Sequence, residues 1–110
     1  MIRSDRCAIA ADFVFDGAVT HRNSAVLIEK SRIVALTPRT QVSALCETFE
    51  MPPGTWLAPG FIDVQVNGGG DVLFNADPTP EGISKIVCAH RKTGTTSMLP
   101  TLITATPTTQ

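Results

Sequence analysis

The chain has 110 residues, with nine Lys and Arg against ten Asp and Glu and a formal net charge of −1. Hydrophobic residues make up 43% and charged residues 17%, which is typical of a globular chain and excludes an intrinsically disordered or membrane-spanning one. The near-neutral charge gives neither a basic surface for nucleic acid nor a polybasic patch for a membrane.

The cysteines and the N-terminus bear on the cellular compartment. Cys7, Cys46 and Cys88 are odd in number, widely spaced and without a C-x-x-C pair, which favours reduced thiols and argues against a zinc knuckle. No stretch approaches the roughly 18 apolar residues that a membrane helix needs, and no apolar signal-peptide core follows the N-terminal charges. The sequence therefore predicts a cytoplasmic protein with neither a nucleic-acid nor a membrane partner.

Residues 1–56 are predicted to form short strands and turns. The predicted strands are 7–10, 12–15, 25–29 and 32–36, with a turn at Asp16-Gly17. Lys30-Ser31 separates the last two strands and so predicts a hairpin, although such a turn requires positive φ and favours glycine. Ser31 is expected to cost on the order of 1 kcal/mol relative to glycine there. Prolines at 38, 52 and 53 end this β-rich region.

The stretch 57–70 begins with a proline-glycine turn and continues as an alternating strand. One face carries Phe61, Asp63, Gln65 and Asn67, and the other carries Ile62, Val64 and Val66. A face of branched apolar residues is typical of a strand that helices cover. The polar face and the three glycines after it indicate the rim of an active site or, equally, a strand followed by a flexible loop.

A helix is predicted to follow. Thr79 is its expected N-cap, Pro80 its first residue and Glu81 a favourable charge at the positive end of the helix dipole. The helical face is Ile83, Ile86, Val87 and His90, and Gly94 terminates the helix. Because His90 lies in the last turn, we expect it at a cap or at the edge of the core rather than in a metal or catalytic site.

A second strand, 95–99, is predicted after the helix and ends at Pro100. Strand, helix and strand together form a β-α-β unit, which implies two parallel strands. The segment 104–107 resembles the cap of a further helix. Because a two-stranded parallel sheet leaves its edges and an apolar face uncovered, we expect the chain to be the front part of a longer (β/α) protein.

Several familiar motifs are missing from the sequence. The run Asn67-Gly68-Gly69-Gly70-Asp71 is neither G-x-G-x-x-G, since position 73 is Leu, nor a P-loop, since no Gly-Lys-Ser/Thr follows it. No G-x-S-x-G, H-E-x-x-H or paired Cys/His spacing occurs. These absences argue against nucleotide binding and against a serine hydrolase or a zinc protease.

Other residues carry a specific resemblance. The segment 59–63, Pro-Gly-Phe-Ile-Asp, resembles the start of the first barrel strand in metal-dependent amidohydrolases. Most members continue with His-x-His, whereas this chain has Gln65-Val66-Asn67 followed by the three glycines and the run 72–75. Together with 99–104, this pattern is similar to the N-acetylglucosamine-6-phosphate deacetylase family, over roughly residues 7 to 106.

The resemblance implies an α/β fold in which residues 1–56 are the N-terminal part of a small β-sandwich. Residues 57–110 would be the first β-α-β unit of an incomplete (β/α)8 TIM barrel. It also implies hydrolysis of N-acetylglucosamine 6-phosphate to glucosamine 6-phosphate and acetate, and a homodimer for the whole protein. In the family a divalent metal, usually zinc, polarises the amide carbonyl and activates water. The family's metal ligands and proton-shuttling aspartate lie beyond position 110.

The resemblance therefore places no catalytic residue and no metal ligand in this chain. It places Gln65 and Asn67 at the active-site rim, near the metal but not bound to it, because neutral amides are poor ligands compared with imidazole. Their alternative role is to satisfy backbone groups of the loop. Gly68, Gly69 and Gly70 would bring the loop backbone close to the substrate or to another loop. Asp63 is expected to be buried and structural.

Three interpretations remain open. The chain is a fragment of the deacetylase that is inactive on its own, or it is a non-catalytic β-rich module or degenerate gene product derived from an amidohydrolase. The third is an amidohydrolase with a different substrate.

Overall fold

A computed structural model describes residues 5–42 and 46–104. The chain divides into two compact units, Met1–Pro59 and Gly60–Gln110. The first is a β-sheet and the second is a helix with short strands, so the described chain is β-rich with one helix. The assignment of 1–56 to a sandwich domain and of 57–110 to a barrel stays a prediction.

The first unit is a five-stranded sheet. Its strands are β1 (Arg6–Phe15), β2 (Thr20–Glu29), β3 (Arg32–Pro38), β4 (Glu47–Glu50) and β5 (Trp56–Leu57). They are arranged β3-β2-β1-β4, and β5 also pairs with β1. The β1–β2 and β2–β3 pairs are antiparallel, whereas β4 and β5 run parallel to β1. A short 3-10 helix, Arg39–Gln41, follows β3.

The predicted hairpin between β2 and β3 is confirmed. Its turn residues, Lys30 and Ser31, have φ of 48° and 64°, so the turn forms with the unfavourable residues that the sequence provides. The two strands predicted at 7–10 and 12–15 are a single strand, because β1 pairs with β2 from Arg6 to Phe15. Strand β4 was not predicted, because its own sequence has a weak strand pattern. Its pairing with β1 makes it a strand.

Small side chains form the core of this sheet. One cluster of buried residues consists of Ala8, Ala10, Ala25 and Cys46, and another of Ala11, Val14 and Val26. The sheet also borders an apolar cavity of about 270 Å³. It is lined by Ile9, Val14, Phe15, Asp16, Val26, Ile28, Ile33, Leu36, Leu57, Ala58 and Pro59.

The second unit contains β6 (Phe61–Val66), β7 (Gly68–Gly69), β8 (Val72–Leu73), α1 (Pro80–Arg91) and β9 (Thr95–Pro100). The strands β6 and β9 are parallel neighbours with α1 between them in sequence, which confirms the predicted β-α-β unit. The strands β7 and β8 form a separate two-residue antiparallel ladder. The glycine run is therefore part of a short hairpin rather than a segment without strand pairing.

The helix begins and ends as predicted. The Thr79 hydroxyl accepts a hydrogen bond from the Gly82 amide at 3.0 Å, and Pro80 is the first helical residue. Ile86 lies on the inner face of the helix and is fully buried. Gly94, with φ of 99°, follows the C-terminal turn. The further helix predicted to begin at 104–107 lies outside the described residues from 105 onward.

The apolar face of β6 is largely uncovered, as expected of a two-stranded parallel sheet. Val66 is 3% exposed, but Ile62 is 73% and Val64 68% exposed. Only one α-helix occurs among the described residues, and it packs mainly on β7, β8 and β9. In the ranges 5–42 and 46–104, no helix is both long and apolar enough to cross a membrane.

Candidate active-site rim

The predicted rim residues lie where β6 ends. Gln65 is exposed, and its backbone N–H donates to Oδ1 of Asp63 at 3.1 Å. Asp63 was expected to be buried, but it is half-buried and receives this bond from its own strand. A carboxylate that accepts a backbone N–H and remains partly hydrated needs no buried cation, and the structural role expected for Asp63 stays a prediction.

Asn67 joins the ends of the two parallel strands. Its Nδ2 donates to the Thr101 carbonyl at 2.9 Å, just after β9. The Thr101 N–H in turn donates to the Val66 carbonyl at 2.8 Å, at the end of β6. The Asn67 side chain thus satisfies a backbone group, which was the alternative role considered for it. The same bond places Asn67 at the carboxyl ends of both strands, β6 and β9.

The glycine run forms the hairpin beside this junction. Gly68 pairs with Leu73 and Gly69 with Val72, and the turn residues Gly70 and Asp71 have φ of 60° and 63°. A Cβ on Gly69 would lie 2.9 Å from Nε2 of His90. The glycines therefore allow the hairpin to approach helix α1 closely.

A half-buried histidine links the helix to this hairpin. Nε2 of His90 lies 2.9 Å from the Gly68 carbonyl oxygen. His90 thus lies at the helix end, as expected, but it also has a specific partner 22 residues earlier in the chain. Sequence reasoning missed this contact because a histidine in a last helical turn is explained by the helix dipole alone.

Asn75 is a second residue that the sequence analysis missed. Its Oδ1 accepts from the Ile103 N–H at 2.7 Å, and its Nδ2 donates to the Ile103 carbonyl at 2.8 Å. The side-chain amide thus pairs with one backbone residue as a neighbouring strand would. The run 72–75 carried the resemblance described above, and this contact gives a physical reason for an asparagine at its end.

The chemistry of this region is that of neutral donors and acceptors. Among residues 5–42 and 46–104 no group of three or more His, Cys, Asp or Glu side chains could hold a metal ion. Amide groups and exposed backbone can bind hydroxyls, carbonyls and ordered water, but they supply neither a strong base nor a good metal site.

Comparisons with known proteins give the region its context. The N-acetylglucosamine-6-phosphate deacetylase of Haemophilus influenzae is 38% identical over 84 residues, which are 76% of the present chain. The solved N-acetylglucosamine-6-phosphate deacetylase of Pasteurella multocida matches 94% of the chain with a TM-score of 0.84 and 29% identity. The chain resembles the N-terminal portion of N-acetylglucosamine-6-phosphate deacetylase. No protein-family model matches it.

A third comparison concerns a different amino sugar. The N-acetylgalactosamine-6-phosphate deacetylase of Shewanella sp. (strain ANA-3) is 54% identical over 56 residues, 51% of the chain. The chain spans only part of these proteins: 14% of the Shewanella protein, 22% of the Haemophilus protein and 27% of the solved Pasteurella chain. The names of the relatives agree on the reaction class, deacetylation of an amino-sugar phosphate.

Proposed function

We propose that this chain forms the N-terminal portion of an amidohydrolase that converts N-acetylglucosamine 6-phosphate to glucosamine 6-phosphate and acetate. The observation that carries the proposal is the match of 94% of the chain, at a TM-score of 0.84 and 29% identity, to a deacetylase of that name. A solved deacetylase from Mycobacterium smegmatis in complex with this substrate also matches 96% of the chain, at 27% identity.

The proposed architecture is a small β-sandwich followed by a (β/α)8 barrel, of which β6, α1 and β9 would be the first β-α-β unit. The exposed apolar residues of the two strands support this, because isolated soluble sheets rarely leave such residues uncovered. Ile62 is 73%, Val64 68% and Leu99 60% exposed. Neighbouring strands and helices of a barrel would bury them.

In this architecture Gln65 and Asn67 would line the rim of the active site. Both lie at the carboxyl end of a parallel strand, where barrel enzymes bind their substrates. Gln65 presents an exposed amide that can bond a sugar hydroxyl or an ordered water. Gly68, Gly69 and Gly70 would bring backbone groups to the same rim.

The residues of this chain do not fit the divalent metal that amidohydrolases use. The side chains at the rim are neutral amides, and Asn67 uses its Nδ2 on the Thr101 carbonyl. We therefore place the metal ligands, for zinc or another divalent ion, outside residues 1–110. The isolated chain is expected to bind no catalytic zinc and to hydrolyse nothing.

The galactosamine isomer is a second candidate substrate. It is favoured by the 54% identity to the Shewanella enzyme, although that match covers only 51% of the chain. The two substrates differ in the configuration of one hydroxyl, so a few polar contacts decide between them.

We also propose a homodimer for the whole enzyme and a cytoplasmic location, the latter because the cysteines are isolated.

The test is to express the complete reading frame that contains this chain and to measure acetate release. N-acetylglucosamine 6-phosphate and its galactosamine isomer are the substrates, and unphosphorylated N-acetylglucosamine is the control. Release from a phosphorylated sugar well above the control would support the proposal. No release from either phosphorylated sugar would overturn it, and a reading frame that ends at Gln110 would favour a non-catalytic module.

A further inference from the structure

His90 has an unusual position for a residue at a helix end. Its Nε2 lies 2.9 Å from the Gly68 carbonyl oxygen, and a carbonyl oxygen only accepts hydrogen bonds. His90 must therefore carry its proton on Nε2 and donate to the glycine hairpin. The bond joins α1 to β7, two elements that meet where a Cβ on Gly69 would crowd the imidazole.

Two asparagines hold the same hairpin from the other side. Asn67 precedes it and donates to the Thr101 carbonyl at 2.9 Å, and Asn75 follows it and forms two bonds with Ile103. The hairpin is thus tied at both ends to the segment after β9, and at Gly68, its first strand residue, to α1. Three side chains from separate parts of the sequence fix one short stretch of backbone.

Gln65 differs from these three residues. It is exposed, and among the described residues its side-chain amide has no hydrogen-bond partner. The neighbouring Asn67 and the Gly68 carbonyl are both occupied by the contacts above. The free amide therefore stands beside a backbone that is rigidly placed.

We propose that His90 is a positioning residue, which holds the 67–75 hairpin so that its glycine backbone faces the amino-sugar phosphate. This rests on the proposed function. His90 touches no substrate in this account and acts only through the Gly68 carbonyl. A residue that fixes part of a binding rim should change catalytic efficiency without a matching loss of global stability.

The experiment uses two amide variants of His90 in the protein from the complete reading frame. In His90→Gln the side-chain nitrogen reaches the position of Nε2 and can still donate to Gly68. In His90→Asn the nitrogen lies nearer the position of Nδ1 and falls short. The control is His21→Asn in the first unit, because His21 also forms one polar side-chain contact, with Asp16 at 2.7 Å.

We expect His90→Asn to lower kcat/KM for N-acetylglucosamine 6-phosphate by about tenfold, the size of one hydrogen bond to a positioned group. We expect His90→Gln to stay within about threefold of wild type, and His21→Asn to match wild type. Equal losses in His90→Gln and His90→Asn, or no loss in His90→Asn, would overturn the proposal.

Hydrogen exchange separates this proposal from the proposed function. If the wild-type protein releases no acetate, the function has failed, and exchange of the 67–75 amides still decides the role of His90. Faster exchange in His90→Asn than in wild type and His90→Gln supports positioning. Unchanged exchange in His90→Asn contradicts it, as does faster exchange spread evenly over both units, which would mark a loss of global stability.

Discussion

The two units bury their apolar residues differently. In the sheet of residues 5–59, Ala8, Ala10 and Ala25 are each 0% exposed, so small side chains are closed off within the unit. In residues 60–104, Ile86 is fully buried, but Ile62 is 73% exposed on β6. The first unit covers its central strands β1 and β2 but leaves Ile33 on β3 73% and Trp56 on β5 59% exposed, whereas the second leaves apolar residues of both β6 and β9 open.

The polar contacts of the units differ in the side chains that make them. In the first unit they are charged and partly exposed: Arg39 contacts Asp12 at 3.5 Å and Glu50 at 3.2 Å, and Asp12 also accepts the Gly54 N–H at 2.7 Å. Partly exposed ion pairs contribute little to stability. In the second unit, side-chain amides and an imidazole bond backbone groups far away in sequence. Both units therefore tie distant backbone groups through side chains, and in the second unit these bonds gather at the 67–75 hairpin.

The largest expected effect is on the core of the second unit. Ile86→Ala should lower the free energy of unfolding by about 2–5 kcal/mol, because it empties a fully buried site beneath α1. The helix signal in circular dichroism, followed in urea, measures it. Cys88→Ala, at an exposed position of the same helix, is the control and should change stability by no more than about 0.5 kcal/mol. A loss below about 1 kcal/mol for Ile86→Ala would show that the helix is not packed on this residue.

A pair of glycine substitutions separates steric overlap from backbone strain. In Gly68→Ala the new Cβ would overlap the backbone oxygen of Val72, so we expect a loss of about 1–3 kcal/mol in the second unit. In Gly17→Ala, in the first unit, the Cβ meets nothing within 4 Å, but φ is +104°. Strain alone should cost about 1 kcal/mol there. Urea unfolding of both variants tests the order, and a greater loss for Gly17→Ala would contradict it.

The smallest effect concerns Asp16 in the first unit. Its carboxylate accepts the Val19 N–H, a side-chain bond from His21 and the Ala18 N–H, and these contacts lower its pKa to about 2 from the ordinary 3.8. Because the folded-state pKa is the lower one, these contacts stabilise the fold above about pH 4 and are lost as pH falls toward 2.

An NMR titration of the Asp16 carboxyl carbon measures this pKa directly. The variant His21→Asn should raise it only part of the way to 3.8, because the backbone bond from Val19 is the largest cause of the shift. A midpoint near 3.8 in the wild-type protein would contradict the geometry of this turn.

Much of the secondary structure follows from local sequence. The cap at Thr79 has a local physical cause, and the strand predicted from alternation is present as β6. The turn at Lys30-Ser31 forms where the two flanking runs predicted it, although its residues are unfavourable for positive φ. The strand Glu47–Glu50 was missed because its pairing with β1, not its own pattern, makes it a strand. The glycine hairpin was missed because its paired strands are only two residues long and one of them is Gly68-Gly69, which has low strand propensity.

The candidate site was predictable only in part. The positions of Gln65 and Asn67 followed from strand alternation and from the resemblance, and their role in binding stays a prediction. The contacts of Asn75 and His90 join residues 28 and 22 positions apart in sequence. No local rule links residues so distant, because such contacts depend on how the β-α-β unit closes. The exposure of Ile62 agrees with the uncovered apolar face expected of the two-stranded parallel sheet, although periodicity alone shows which face is apolar and not what covers it.

The most direct test of the account is the kcat/KM of the complete enzyme for N-acetylglucosamine 6-phosphate, measured by acetate release for wild type and Gln65→Ala. Gln65 is exposed, so removal of its amide should leave the fold intact. We expect clear release by wild type and a loss of about tenfold in Gln65→Ala, as for one lost hydrogen bond to substrate. No release by wild type, or equal kcat/KM for the two proteins, would contradict the placement of this chain at the rim of a deacetylase active site.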